Sequence, residues 1–196
     1  MTTAPDAPRQ QGRALALVPG DAEPVTPKAQ RILDLWDPEA QLLGALLHLR
    51  AGDVAPILEL VPAEAIWRPD HRWIYELIGH LVGTGADPDP VVVLNTARHR
   101  PPADAAHPGE PVTAGRHHRL AVHLADLYTR VIAPSSAKQY AREVLDNAYR
   151  RAVAFHGTRM TQLADTDADR DTLTTYLSTM RAELADLWRR LDAVQR

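Results

Sequence analysis

The chain has 196 residues, a mass of 21.6 kDa, 45% apolar and 24% charged residues and a net charge of −3. That is enough for one ordinary domain with an appendage, and it makes no general electrostatic case for nucleic-acid binding. The absence of cysteine excludes disulfides, thiolate metal sites and a cysteine nucleophile. Neither lysine, Lys28 or Lys138, follows a glycine, which excludes a phosphate-cradling Gly-x-x-x-x-Gly-Lys-Ser/Thr loop. No apolar run approaches the roughly 20 residues that span a bilayer, and Arg13–Pro19 is too short and proline-bounded for a secretory core. The reading is a cytoplasmic protein.

Residues 1–30, rich in Ala, Pro, Thr, Gln and Gly, read as a disordered tail. Asp37-Pro38-Glu39 is a helix start: a capping aspartate, proline in the first turn and an acidic residue after it. Leu42, Leu43, Leu46 and Leu47 form the apolar stripe of that helix, Gly52 is expected to end it, and Asp53 to cap the next, which carries Ile57, Leu58 and Val61. Asp70 is expected to open a further helix with Trp73, Ile74, Leu77, Ile78 and Leu81, stopped by Gly83-Thr84-Gly85. Asp89-Pro90 repeats the cap-then-proline signal and favours helix over strand for Val91–Arg98. Four prolines between 101 and 111 mark a loop, and a helix with Leu120, Val122, Leu124, Leu127 and Val131 on its inner face resumes from about 116 to 132.

After Pro134 there is no proline and a single glycine, Gly157, which suits uninterrupted helices. One helix, capped by Ser135 or Ser136, should reach about Ala164. The acidic stretch Asp165–Asp171 should turn the chain and cap a second helix, from about Thr172 to Val194. In that last helix Leu173, Leu177, Met180, Leu184, Leu187, Leu191 and Val194 repeat at alternating steps of four and three, a heptad seam. The partner row is Ala141, Leu145, Ala148, Ala152 and Phe155. Two long helices joined by a short turn lie antiparallel. Tyr140, Val144, Tyr149, Tyr176 and Trp188 flank the seam and should stay exposed, which suggests a further packing partner. The expected fold is all-α: a helical bundle over 31–134 followed by a long antiparallel helical hairpin over 135–196.

Catalytic chemistry finds little support. His117, His118 and His123 do not share a helix face, and there is no His-Glu-x-x-His, so no metal site is assigned. His71 and His80 are nine residues apart, and one of them should pack at the core edge. Asp165–Asp171 lacks the central glycine and final glutamate of a calcium loop. No serine lies in Gly-x-Ser-x-Gly, and no cofactor motif is present. Arg98, Arg100, Arg116 and Arg119, with histidines among them, flank the loop against Asp104 and Glu110. Without an aromatic stacking platform they leave direct DNA contact weak or indirect.

The order of these segments resembles the N-terminal domain of DnaB-type replicative DNA helicases. Glu39-Ala-Gln-Leu-Leu-Gly-Ala-Leu-Leu47 resembles its first helix, with the Glu-x-x-Leu/Val-Leu-Gly-x-Leu pattern. Val61–Trp67 followed by Arg68-Pro-Asp-His-Arg-Trp-Ile-Tyr75 resembles the stretch that ends in His-Arg-x-Ile-Phe/Tyr. Gly85-Ala-Asp-Pro-Asp89 stands at the Gly-x-Pro-Ile-Asp turn, and Leu120–Tyr128 at the Tyr-Leu-x-x-Leu helix. Ala133-Pro-Ser-Ser-Ala-Lys-Gln-Tyr-Ala-Arg-Glu-Val144, with Arg150-Arg151, resembles the Pro-Ser-x-x-Asn-x-x-x-Tyr-Ala pattern and the arginines after it. The resemblance spans about 37–194. The chain departs from the family at the Pro/His-rich insertion 101–118, which stands in place of Gly-Gly, at Pro90, and in lacking the motor's P-loop lysine.

The resemblance implies a non-catalytic replication protein that self-associates as a dimer or higher oligomer and docks replicative helicase or primase, with no membrane involved. The residues expected to carry this are Leu173, Leu177, Met180, Leu184, Leu187 and Leu191 of the seam, with Tyr140, Val144, Tyr176 and Trp188 beside it. The alternatives are a primase helicase-binding-like module, a DNA-binding regulator using the Arg/His-rich loop, and a small metal enzyme using His117, His118 or His123.

Overall fold

Local capping starts four of the described helices, one of them the helix that follows Thr113, whose hydroxyl accepts from Arg116 N–H at 3.3 Å. In the computed structural model, which describes residues 33, 35–102 and 112–194, the Asp37 carboxylate accepts from Glu39 N–H at 3.2 Å and opens α1 (Pro38–Leu46). Asp89 does the same for α4 (Pro90–Ala97), accepting from Val91 N–H at 2.8 Å, so the Val91-Val92-Val93 run is helical. Asp169 accepts from Thr172 N–H at 2.7 Å at the start of α7 (Arg170–Val194). The remaining helices are α2 (Ala51–Leu60), α3 (Pro69–Gly83), α5 (Ala114–Arg130) and α6 (Ala137–Asp165). Short 3₁₀ turns lie at Ala63–Ala65 and Pro134–Ser136. Among the described residues there is no strand. The expected tail 1–30 and the loop centre 103–111 fall outside the described residues.

Five local expectations are corrected. Gly52 does not end α1, which stops at Leu46. Asp53 does not cap α2 but lies inside it. The α2 terminus is satisfied from a distance, by Asp87 Oδ1 accepting from Ala51 N–H at 2.7 Å. Asp70 lies in the first turn of α3, where Arg68 holds the cap position without a side-chain bond. Ser136 holds the cap position of α6, also without a side-chain bond, because the preceding residues wind into a 3₁₀ turn. Val122 of α5 faces solvent, while Leu120, Leu124 and Leu127 are buried.

Helix α1 is apolar on nearly every side and lies at the centre of the bundle, against α3, α5 and α6. Its close approach to α5 depends on Gly44: a Cβ there would lie 2.5 Å from the Leu127 carbonyl oxygen and 3.0 Å from Val131 Cβ. Two buried polar residues of α1 hold neighbouring chain ends. Gln41 donates to the Leu35 and Arg130 carbonyls at 2.7 and 3.3 Å and accepts from Ile132 N–H at 2.9 Å. Glu39 accepts from Trp67 and Arg68 N–H at 2.7 and 3.2 Å and lies 3.3 Å from His71 Nδ1. Burial pushes the Glu39 carboxyl's pKa up, but the bonds from His71, Trp67 and Arg68 outweigh it and hold the group below its ordinary value. His71 is fully buried and stacks on His123 of α5, ring centres 5.1 Å apart and 9° from parallel. Of the two α3 histidines it is therefore His71 that packs inside.

The hairpin grows from this bundle rather than from a separate linker. Ala141, Val144, Leu145 and Ala148 of α6 and Leu187 and Leu191 of α7 belong to the same core as α1. Two arginines fix the attachment. Arg151 of α6 donates to the Ala65 carbonyl at 2.6 Å, and Arg190 of α7 donates to the Glu59 and Leu60 carbonyls at 3.0 and 3.2 Å, closing the end of α2.

Candidate functional site

Helices α6 and α7 are 29 and 25 residues long, about 43 and 38 Å at the usual rise. Only part of that length is covered by the bundle. The seam shows it: Leu191 and Leu187 are 7% and 9% exposed, Leu184, Met180 and Leu173 are half-buried, and Leu177 is 38% exposed. Beyond the base the two helices cover only one side of each other. Val153, Phe155 and Met160 of α6 are exposed on the same outer half.

The flanking residues divide. Trp188 is 62% exposed, its ring tilted against Tyr149 at 6.0 Å, and Tyr176 and Tyr140 are half-buried. Val144 corrects the expectation of exposure: it is fully buried, because α1 packs directly on that face of α6. Phe155 corrects the opposite expectation. It lies on the Val144–Ala148 face of α6, eleven and seven residues further on, yet it is 66% exposed because no bundle helix reaches that height.

Phe155 instead forms one wall of a cleft of about 720 Å³ between the outer hairpin and the 3₁₀ turn. Trp67, 66% exposed, stands on the other side, with Ala148, Ala152 and Leu187 on the floor. Arg72, Arg151 and Arg190 rim it together with Glu64, Glu183 and Asp186. The Arg151 guanidinium lies 5.4 Å over the Trp67 ring, which holds the indole at the mouth. Burial lowers the pKa of Arg151 while the Glu39 charge opposes that shift. The cleft is apolar inside and bears charges of both signs at its edge.

One polar residue of the rod is missed by the sequence reading. His156 is 3% exposed, 2.7 Å from the Tyr176 hydroxyl through Nδ1 and 3.2 Å from Glu183 through Nε2. An ionised carboxylate only accepts, so the neutral ring satisfies both neighbours by donating from Nε2 and accepting at Nδ1 from the tyrosine O–H. This bridge cross-links α6 and α7 where the apolar seam is thin. Its sequence signal was position alone: a histidine next to Phe155 on the inner row.

The histidines considered for a metal are dispersed. His117 Nε2 lies 3.1 Å from the Leu94 carbonyl, His118 is exposed, and His123 stacks on His71. No group of three His, Asp or Glu is placed to hold an ion among the described residues. No described helix is long and apolar enough to cross a membrane.

Among the described residues five helices form the bundle and two the antiparallel hairpin, an all-α architecture of the helicase N-terminal-domain class. The family model described as "DnaB-like helicase N terminal domain" matches residues 34–146, and the chain belongs to that family. Its structure is similar to that of the N-terminal domain of DnaB helicase from Mycobacterium tuberculosis. The match has a TM-score of 0.59 and 26% identity and covers 76% of this chain and 95% of that one. No curated protein matches. Only the non-catalytic N-terminal part of the helicase is represented in these matches.

Proposed function

We propose that this chain acts by binding within the cytoplasmic DNA-replication apparatus, with two functional parts, a bundle over 31–134 and a hairpin over 135–196. The hairpin mediates self-association, and the bundle with its cleft docks replicative helicase or primase. The reading is supported chiefly by the outer half of the rod, where Val153, Phe155, Met160 and Leu177 are exposed on helices that carry no apolar partner there. Isolated exposed apolar residues are ordinary, but a group of them on one protruding element marks a contact surface. The hairpin needs no cofactor or metal for this role.

The test is the native mass of the full chain by light scattering, alone and with purified primase or replicative helicase from the same organism. A dimer or larger assembly is expected, and Phe155→Asp with Leu177→Asp should convert it to monomer without lowering the melting temperature. A strictly monomeric wild-type chain that binds neither protein contradicts the proposal. Binding of helicase but not primase assigns the chain to the alternative, the helicase-binding module of a primase.

A further inference from the structure

The surface where α4 ends and α5 begins differs in charge from the rest of the molecule. Residues 90–102 and 112–125 contain four arginines and four histidines and not one Asp or Glu, in a chain whose net charge is −3. The fold draws these two stretches together. His117 of α5 meets the Leu94 carbonyl of α4 at 3.1 Å, and Arg98 Nε lies 3.4 Å from the same imidazole. Trp73 of α3 donates from its indole N–H to the Arg100 carbonyl at 2.9 Å, and Arg100 Nη1 lies 3.4 Å from His80 Nε2. The Arg116 guanidinium is stacked 4.9 Å over the Trp73 ring. Arg116 and Arg119 line a small pocket of about 220 Å³ with His123, and Asp70 is the carboxylate in its wall. Arg98, Arg100 and Arg119 are exposed.

We infer that this arginine surface, gathered around Trp73, binds the phosphate backbone of a nucleic-acid strand. Guanidinium forks match phosphate oxygens in pairs, and the basic groups here are arginine, not lysine. Four of them spread over two helix ends suit a linear polyanion better than a single ion. An acidic protein partner would need an apolar anchor at the centre of the contact. At the pocket between Arg116 and Arg119 there is none, because Trp73 and Leu120 are buried and Arg116 covers the indole; the exposed Val91, Val92 and Val122 of the same helices do not line it. The same absence of an open ring removes base stacking, so the contact is independent of sequence and sensitive to salt. Asp70 opposes it from the pocket wall. The inference is independent of the hairpin's role, since its arginines lie on or beside α4 and α5 and it is read by DNA retention rather than by mass.

The experiment is fluorescence anisotropy of the full chain with labelled oligo-dT and with a duplex of equal length. Engagement of four phosphates predicts binding at about 50 mM salt that weakens roughly 50-fold by about 200 mM for the single strand. Arg98→Ala with Arg119→Ala should cut affinity at low salt at least about tenfold and halve the salt slope. Arg142→Ala with Arg181→Ala, exposed on the hairpin and equal in charge change, should leave it within about twofold; Arg98→Lys with Arg119→Lys should retain binding, and Asp70→Asn should tighten it. The tighter of the two oligonucleotides identifies the form bound. No binding at low salt, equal losses in the two alanine pairs, or stronger competition by poly-glutamate than by oligo-dT overturns the proposal, the last in favour of an acidic protein.

Discussion

The bundle and the outer hairpin are built from the same residue types and held in different ways. Around α1 each large apolar side chain is enclosed by three helices, and buried polar groups such as Glu39 and Gln41 have every reachable partner within the chain. Beyond Ala152 two helices share a single strip of contact, Leu163 is buried but Leu173, Leu177 and Leu184 lie part open, and a histidine bridge supplements the apolar packing. Enclosure from several sides makes a position intolerant of change, whereas a surface covered from one side remains free to meet another molecule.

Substitutions should separate the two regions. The largest effect is expected for Glu39→Ala, which leaves the Trp67 and Arg68 N–H groups and the buried His71 without their acceptor. A loss of about 3–5 kcal/mol is expected, or roughly 6–20 °C in melting temperature by calorimetry. Gly44→Ala comes next: its Cβ would press on the Leu127 carbonyl, costing about 1–3 kcal/mol and a matching drop in the denaturant midpoint. An unchanged midpoint would mean that α1 and α5 part easily.

Acid should weaken the bundle in two steps. Burial, then the adjacent His71, lower the pKa of His123 below its ordinary 6.5, against the pull of Asp70 and Asp126. The unfolded chain therefore takes up that proton more readily, and this contribution to stability is complete above about 6.5 and declines as pH falls toward the folded value. Glu39, also lowered in the folded state, contributes above about 4.5 and loses its contribution as pH falls through its folded pKa. Melting curves from about pH 8 to about pH 2 should lose the upper step in His123→Gln and the lower step in Glu39→Gln. His156→Ala should cost only about 1 kcal/mol, but should speed amide exchange in the outer parts of α6 and α7 while leaving α1 and α3 protected. Leu177→Asp should have the smallest effect on stability, within about 0.5 kcal/mol, since the side chain is already part-exposed.

The sequence made the helices legible wherever their signals were local. Asp37 and Asp89 cap the helices that follow them directly, and the proline-free final third is two long helices. Gly52 and Asp53 misled because the donor to be satisfied, Ala51 N–H, finds its acceptor in Asp87, across the fold. Periodicity set Val144 beside the seam and Phe155 on the inner row, and the structure reverses the exposure of both. Such spacing carries no information on how far along a rod the neighbouring helices extend, and that alone decides that Val144 is buried and Phe155 is not. The arginine surface was visible as composition, but only folding shows that Trp73 collects residues from two separate stretches.

The anchoring of the hairpin by Arg151 and Arg190 makes it a lever. Both guanidinium groups grip carbonyls within residues 59–65, and beyond them α7 runs on for about 30 Å and α6 for about 21 Å to the far turn. A pivot of about 5° at that grip would carry the far turn through roughly 3 Å. Under the proposed self-association, the orientation of the hairpin tip is set by two short contacts near its base, and a mutation there would re-aim the tip while leaving its exposed residues untouched.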